Sequence, residues 1–315
     1  HAYHFPAHRA RRRSGPDGFG ATIEATFETT RAERWNGAGI VHQSSGEPPS
    51  PDWTIPGANI TTEVLPMDQT ASRIALIRGL ADRLREFLAG LPQEEWTRPS
   101  ACDLWEVRDV VAHVTSGAGR QLESMRRGMA GDSSPPPGFE SVDLESLSAS
   151  NVQRDITLRK ELGDQLLPVF VSRHEELTGL LDGFSAKGWD TPCWHARKGA
   201  MPAEEYVDLR VQELAIHDWD IRSGLDAGAR LDPESVPVLL DVALTWLKAS
   251  FRPGPPLDAP VVFRFEVAAP APLGRDVVVM GDSFRVDQAG GSKAGVVVRC
   301  DADSYLLYLY GRLTA

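Results

Sequence analysis

The chain has 315 residues, of which 42% are hydrophobic and 24% charged, so it can form one large or two medium globular domains and is not a short peptide or a wholly disordered chain. Its 33 basic and 44 acidic residues give a net charge of −11, which argues against nucleic acid as a partner, because phosphate binders usually carry a basic surface. The chain has no apolar run of about 18 residues and no CxxC motif among its three cysteines, which predicts a protein of the reducing cytoplasm without a membrane partner.

The first 66 residues differ in composition from the rest of the chain. They are rich in Gly, Pro, Ser, Thr and Arg, and they show no sustained apolar period of a helix or a strand. We therefore expect residues 1–66 to be a disordered or non-native extension that is mostly unstructured.

Apolar residues then recur at intervals of three and four residues, which is the period of amphipathic helices. Ser100 and Asp103 are possible caps of the second helix, and the third helix can break near Gly163 or Pro168. Four helices of this kind are typical of a four-helix bundle, here within residues 67–225. The predicted helices lie at about residues 68–91, 104–127, 144–181 and 202–223.

After Gly224 the pattern changes to that of a small α+β domain. We predict an α+β fold class, in which the helix bundle is followed by this domain over residues 226–315, and we expect the domain to be truncated at its C-terminus. Its predicted elements are a helix at about 233–250, β-like runs at 261–268, 276–280, 283–288 and 295–300, and a helical stretch at 303–313.

The predicted fourth helix places Glu213 and His217 four residues apart, so that their side chains share one face. Arg210 and Asp220 extend the same stripe, and the predicted second helix adds His113 beside its valine face. A set of His, Glu and His is typical of zinc sites that keep a fourth position for water or substrate. From spacing alone, the commoner explanation is an ordinary hydrogen-bonded group at the edge of the core.

Other candidate residues are weaker. Cys102 precedes a predicted helix and has no histidine near it in the sequence, so a structural role is the commoner explanation. The run GGSKAG at 290–295 lacks the order of a phosphate-binding P-loop, and no GxSxG motif indicates a serine hydrolase.

Three motifs, in this order along the chain, resemble the mycothiol-dependent maleylpyruvate isomerase family, part of the wider DinB-like superfamily of metal-binding four-helix bundles. They are CDLWEVRDVVAH at 102–113, RVQELAIHDWD at 210–220 and LYGRL at 309–313, and the resemblance covers about residues 67–315. The chain departs from the family at Asp103 and Leu104, which replace a common Pro-Gly pair, and in residues 1–66, which have no family counterpart.

The resemblance implies that His113, Glu213 and His217 bind a divalent metal ion, commonly zinc. It also implies mycothiol as a thiol co-substrate and a C-terminal domain similar to sterol carrier protein folds. Arg312 matches a family position associated with an anionic substrate, so we predict that it clamps a carboxylate. Arg210, in the second motif, is the other predicted catalytic residue.

Together with the candidate donor set, the resemblance implies a divalent-metal- and mycothiol-dependent enzyme that activates a small thiol for addition to a small electrophile. An open metal position can bind and deprotonate a thiol, and the thiolate can then either isomerise a maleylpyruvate-type cis double bond or be transferred. The sequence does not separate an isomerase from a thiol S-transferase. Two further hypotheses are a non-catalytic binding protein for a small apolar ligand and a metal-dependent hydrolase that uses bound water.

Overall fold

The computed structural model describes residues 24–27, 66–102, 105–136, 144–184, 188–196, 198–268 and 272–313. Contacts between residues divide the chain into two units. The described residues of 66–250 form the first, which we call the helical unit. Those of 24–27 and 251–313 form the second, which we call the sheet unit.

The elements follow one another in the order β1 (Glu24–Phe27), α1 (Pro66–Ala89), α2 (Val107–Met129), α3 (Leu144–Leu162), α4 (Leu166–Asp182), β2 (Pro192–His195), β3 (Gly199–Pro202), α5 (Ala203–Leu225), α6 (Val236–Ser250), β4 (Val261–Val267), β5 (Leu273–Val279), β6 (Phe284–Gln288), β7 (Val296–Cys300) and α7 (Ala302–Leu309).

The helical unit is held together by the amphipathic faces of its long helices. Helix α2 packs against α4 and α5, α1 packs against the same two helices, and α3 lies on α2. Helix α6 packs on α5, and the antiparallel hairpin β2–β3 lies between α4 and α5 in the chain. The core between the helices contains fully buried aliphatic side chains, among them Ile77, Leu84, Val110, Leu177 and Leu214.

Local chemistry explains where two of these helices begin and end. Helix α2 begins at Val107, three residues later than predicted, because Glu106 and Asp109 form a reciprocal capping box at its N-terminus. The predicted third helix is broken at Gly163, whose φ of +49° interrupts the α-helical backbone between α3 and α4. The break near Gly163 was one of the two positions expected from the sequence.

The described strands outside the hairpin form a sheet in the order β1-β7-β4-β5-β6. Strands β4 and β7 run parallel, and the other neighbouring pairs are antiparallel, with Phe263 opposite Val277 in β4 and β5. Helix α7 begins at the Asp301 cap, whose side chain accepts a hydrogen bond from the Ser304 N–H at 2.7 Å. Its Tyr305 ring packs edge-on against Phe265 of β4, with the ring centroids 5.4 Å apart.

The α+β fold class is confirmed, with helices first and a small sheet after them. Sequence patterning missed two features: the hairpin β2–β3 and strand β1, which pairs with β7 although it lies within the segment expected to be mostly unstructured. The rest of residues 1–65 lies outside the described residues. Contacts divide the chain after Ser250, later than the boundary predicted at 225/226, because α6 packs on α5. Among the helices of the described residues, none is long and apolar enough to cross a membrane.

Candidate metal centre

Helices α2 and α5 bring three of the predicted site residues together. The Nε2 atom of His113 lies 3.4 Å from Oε2 of Glu213, and the Nε2 atom of His217 lies 3.6 Å from the same oxygen. The ligand atoms of all three residues lie within 4.8 Å of one another. The spacing of four residues in α5 puts Glu213 and His217 on one face, and the packing of α2 on α5 adds His113.

These separations fit a divalent cation. Ligand atoms held by a tetrahedral zinc ion at about 2.0–2.2 Å lie about 3.3–3.6 Å apart, which is the range of both distances to Glu213. The side chains of His113 and His217 are 1% and 4% exposed, whereas that of Glu213 is 22% exposed. The cluster is therefore closed on its histidine side and accessible on its glutamate side.

Each histidine is oriented by a buried carboxylate. Nδ1 of His113 lies 2.7 Å from Oδ2 of Asp155 in α3, and Nδ1 of His217 lies 2.9 Å from Oδ2 of Asp220 in α5. The geometry assigns an Nδ1–H donor to each ring, which leaves each Nε2 as the atom that faces Glu213. Carboxylates that hold the far nitrogen of a histidine in this way are characteristic of metal sites.

Asp155 is a residue of the candidate site that the sequence analysis missed. It lies 42 positions from its partner His113, and its side chain is 1% exposed. The available signal was an acidic residue between the partly buried Val152 and Ile156 of α3, a position where an uncompensated charge would be costly.

The electrostatics of the cluster favour a cation. Burial alone lowers the pKa of His113, but its hydrogen bonds to Asp155 and Glu213 and their negative charges outweigh burial, so the pKa is raised above its ordinary value. Burial raises the pKa of Glu213, yet the hydrogen bond and charge of His113 hold it well below its usual range. Burial likewise raises the pKa of Asp155, but the hydrogen bond and charge of His113 outweigh burial and lower it. With Asp220, three carboxylates thus surround two imidazoles, a surplus of negative charge.

Cys102 contacts Asp220, the carboxylate that holds His217. Its thiol donates to Oδ2 of Asp220 at 3.0 Å, and the neighbouring Ala101 N–H donates to the Asp220 carbonyl at 2.9 Å. Cys102 is 1% exposed, which agrees with the structural role favoured from the sequence and gives an external electrophile no access to its sulfur. Trp105 closes the same side, with its ring centroid 5.2 Å from that of His113.

The two predicted catalytic arginines lie in different units. Arg210, one turn before Glu213 in α5, is 3% exposed and reaches across α2, where Nε donates to Oε1 of Gln121 at 2.9 Å. Its positive charge contributes to the lowered pKa of Glu213. Arg312 belongs to the sheet unit, where its guanidinium donates to the Tyr310 carbonyl at 3.0 Å. A catalytic role of either arginine stays a prediction.

A cavity of about 950 Å³ opens within the helical unit and has Glu213 in its wall. It is bounded by α2, α3, α4, α5 and the β2–β3 hairpin. The cavity gives the exposed edge of the cluster a space large enough for a small molecule. Its polar and aromatic lining residues include Arg120, Arg173, Arg210, Trp194, His195 and Tyr206.

Comparison with known proteins agrees with this architecture. Residues 77–222 match the family model of the mycothiol maleylpyruvate isomerase N-terminal domain, a range that contains His113, Glu213 and His217. Two uncharacterized proteins of Mycobacterium tuberculosis, from strains CDC 1551 / Oshkosh and ATCC 25618 / H37Rv, are each 22% identical over 176 residues, 56% of this chain and 80% of theirs.

Two crystal structures are similar to the chain as well. They are those of the mycothiol-dependent maleylpyruvate isomerase and of a point mutant of it, each with a TM-score of 0.55 at 18% identity. Each comparison covers 78% of this chain and 90% of the solved one. This likeness shows that the fold is shared.

Proposed function

We propose that this chain, whose residues 77–222 match the family model of the mycothiol maleylpyruvate isomerase N-terminal domain, is a divalent-metal- and mycothiol-dependent enzyme. The proposed metal ligands are His113, Glu213 and His217, and zinc is the proposed ion. The proposed substrates are a low-molecular-weight thiol and a small electrophile.

One observation carries the proposal: three ligand atoms converge from two helices, and a buried carboxylate holds the outer nitrogen of each histidine. An ordinary pair of core histidines would need hydrogen-bond partners, but it would not need both Nε2 atoms to face one carboxylate oxygen. The donor set and its separations support a cation site rather than a local ion pair.

A bound divalent cation would supply a Lewis acid beside which a thiol loses its proton near neutral pH. The chain's own residues do the positioning. Asp155 and Asp220 fix the tautomer and direction of the two imidazoles, and the packing of Trp105 on His113 shields that side from water. Glu213, at the cavity wall, marks the side from which thiol and electrophile enter.

The proposed reaction is addition of the thiol sulfur to the electrophile. With a maleylpyruvate-type substrate, a C–S bond forms at the cis double bond, the resulting single bond rotates, and expulsion of the same thiol gives the trans isomer. With an electrophile that does not expel the thiol, the same site acts as an S-transferase. The proposal includes a reducing cytoplasm as the compartment, since Cys102, Cys193 and Cys300 are all buried and none of the three forms a disulfide.

The test is elemental analysis of the purified full chain and of His217→Ala, followed by mycothiol titration of both proteins. We expect about one divalent ion per chain and saturable thiol binding in the unaltered protein, with both lost in the variant. Turnover of maleylpyruvate should depend on added mycothiol.

The matched control is His174→Ala, which removes another buried histidine of the same unit. His174 donates from Nδ1 to the Phe170 carbonyl at 2.8 Å and is no part of the cluster, so its variant should keep the ion even if its stability falls. Unchanged metal content in His217→Ala would overturn the site. Turnover without a thiol would favour the hydrolase, and tight binding of apolar ligands by a metal-free protein would favour the binding protein.

A further inference from the structure

We propose that the helical unit carries a binding site for an anionic oxygen group, a carboxylate or a phosphate, built around Arg173, Arg120 and Arg210 in the wall of the cavity that reaches Glu213. The inference rests on the proposed function only in giving the small electrophile a negatively charged group. The anion site itself needs no metal ion.

Arg173 is the central group of this site. It extends from α4 to α2, where its guanidinium donates to the Thr115 carbonyl at 3.1 Å. Within the part of the chain that the structure describes, no carboxylate lies within ion-pair distance of it. A guanidinium carries five N–H donors in a planar fork that matches the two oxygens of a carboxylate or phosphate, and one neutral carbonyl engages only part of that fork.

Two glycines of α2 make room for the arginines. A Cβ atom on Gly119 would lie 3.2 Å from Nη1 of Arg173, and one on Gly117 would lie 3.3 Å from Nη2 of Arg210. Glycine inside a helix destabilises it by about 1 kcal/mol relative to alanine, so two of them in one turn are unfavourable unless the space is used. Arg120 follows directly in the chain, and all three guanidiniums therefore gather around residues 117–120 of α2.

The other charges of the cavity wall do not cancel this cluster. Arg126 pairs with Glu176 at 3.2 Å and Arg127 pairs with Asp132 at 2.6 Å, so these four charges compensate one another. The remaining acidic residues of the wall, apart from Glu213, are Glu123 and Glu161, both of them exposed.

Exposed carboxylates are screened by water and salt over about 10 Å and act weakly on a partly buried guanidinium. Arg120 also lies 3.5 Å from Asp155, but that carboxylate is shared with His113. Glu213, on which the charge of Arg210 acts, is likewise shared with His113 and His217, and neither carboxylate pairs with Arg173. The part of the wall around residues 117–120 thus has an excess of positive charge, and it takes an anion.

The experiment titrates the full chain with maleate and, separately, with inorganic phosphate by calorimetry at low salt, both with zinc added and after chelation. The variants are Arg173→Gln and Arg126→Gln, which remove one guanidinium each from the same cavity wall. Arg126 already has a carboxylate partner and serves as the matched control.

We expect saturable binding of at least one of the two anions, weakened about tenfold or more in Arg173→Gln and changed less than about twofold in Arg126→Gln. Arg173→Lys, which keeps the charge but not the fork, should fall between them if the variants show equal melting temperatures. Tighter binding of maleate identifies a carboxylate ligand, and tighter binding of phosphate identifies a phosphate ester.

Equal affinities in the unaltered protein, Arg173→Gln and Arg126→Gln, or binding of neither anion, would overturn the proposal. The zinc-free arm separates it from the proposed function. Anion binding that persists after chelation, in a chain that never binds metal, would leave the arginine site standing and remove the metal-dependent enzyme. A metal-loaded chain without anion binding would overturn the arginine site and leave the metal-dependent enzyme standing.

Discussion

The helical unit and the sheet unit differ most in what they bury. Among the described side chains, the sheet unit buries two polar residues, Asp276 and Ser304, and both have a local structural purpose. Oδ1 and Oδ2 of Asp276 each accept a hydrogen bond from Arg264 at 2.8 Å, and Ser304 occupies the first turn of α7. The helical unit buries many more polar groups, including His113, Asp155, His174, Arg210, His217, Asp218 and Asp220.

The contrast separates polar burial that stabilises from polar burial that prepares a site. Asp276 finds its partners in Arg264 of the neighbouring strand β4 and in Gly290 of the turn after β6, and nothing about its geometry points to a ligand. In the helical unit, the Nε2 atoms of His113 and His217 converge on one carboxylate beside a cavity. Because burying polar groups is costly, the convergence needs a compensating interaction, and the divalent cation of the proposed function would supply it.

The largest expected effects come from two glycines at which backbone approaches closely. A Cβ atom on Gly224 of α5 would lie 2.4 Å from the Pro99 carbonyl oxygen, and one on Gly281 would lie 2.0 Å from that of Pro255. Gly281 also has a φ of +95°, which disfavours a side chain. We expect Gly224→Ala and Gly281→Ala each to lower the free energy of unfolding by about 3 kcal/mol, measured by chemical denaturation.

The two variants should differ in metal binding. Gly224 packs against the segment that carries Cys102, whose thiol supports Asp220 behind His217, whereas Gly281 belongs to the sheet unit. Zinc affinity, titrated with a fluorescent competitor, should therefore fall in Gly224→Ala only. An equal fall in both variants would contradict the assignment of the site to the helical unit.

A second pair of variants replaces one buried carboxylate by an amide in each unit. Asp155→Asn removes the negative partner of His113 and should weaken zinc binding about 10- to 100-fold, measured by competition with a chelator. Asp276→Asn breaks the pair with Arg264 and should lower the free energy of unfolding by about 1–3 kcal/mol while leaving zinc affinity unchanged. If Asp155→Asn behaved like Asp276→Asn and lost stability but no metal affinity, the two buried carboxylates would have the same structural role, and the contrast between the units would be contradicted.

Acid should affect the units in different pH windows. Burial, together with the charge of Arg210, lowers the pKa of His174 from 6.5 to about 3, so the unfolded chain binds more protons between these values. Each pH unit of acidification in that window should lower the free energy of unfolding by up to about 1.4 kcal/mol. Denaturant titrations of the zinc-free chain from pH 7 to 4 measure this slope, and His174→Gln should reduce it.

The sheet unit should respond only at lower pH. The hydrogen bond from Arg264 lowers the pKa of Asp276 below its ordinary 3.8, so its contribution is fully present above that value and is lost as the pH falls through the lowered pKa. The difference in stability between the unaltered chain and Asp276→Asn should therefore be constant from pH 7 to 5 and shrink below about pH 4. A difference that shrinks already near pH 6 would contradict this assignment.

The smallest expected effect distinguishes the helical glycines from one another. Nothing lies within 4 Å of a Cβ placed on Gly179 of α4, so Gly179→Ala should raise the free energy of unfolding by up to about 1 kcal/mol. Gly119→Ala should raise the free energy of unfolding by less, because its methyl group contacts Arg173, and it should weaken anion binding. Thermal unfolding measures the stability and maleate titration measures the anion affinity. Equal increases in stability for the two variants, without weaker anion binding in Gly119→Ala, would contradict the proposed contact between Gly119 and Arg173.

The sequence predicted much of the fold because amphipathic helices repeat locally. The period of three and four residues placed α1, α2, α4 and α5 within a few residues of their observed ends. It missed strand β1, since four residues are too few to show a period, and the hairpin β2–β3 for the same reason. It predicted α6 as part of the domain after residue 225, whereas contacts between residues group α6 with the helical unit; the packing partners of a helix are not encoded in its own pattern.

The candidate site shows the same limit. By itself the sequence determined that Glu213 and His217 share a helical face, because four residues are close to one helical turn, and its motifs singled out His113 as their partner. Only the tertiary structure decided that Asp155 holds His113 and that Arg173 lies over Gly119, contacts between residues 42 and 54 positions apart. Spacing along one helix dictates which side chains meet, whereas contacts between helices depend on how every side chain in the core packs.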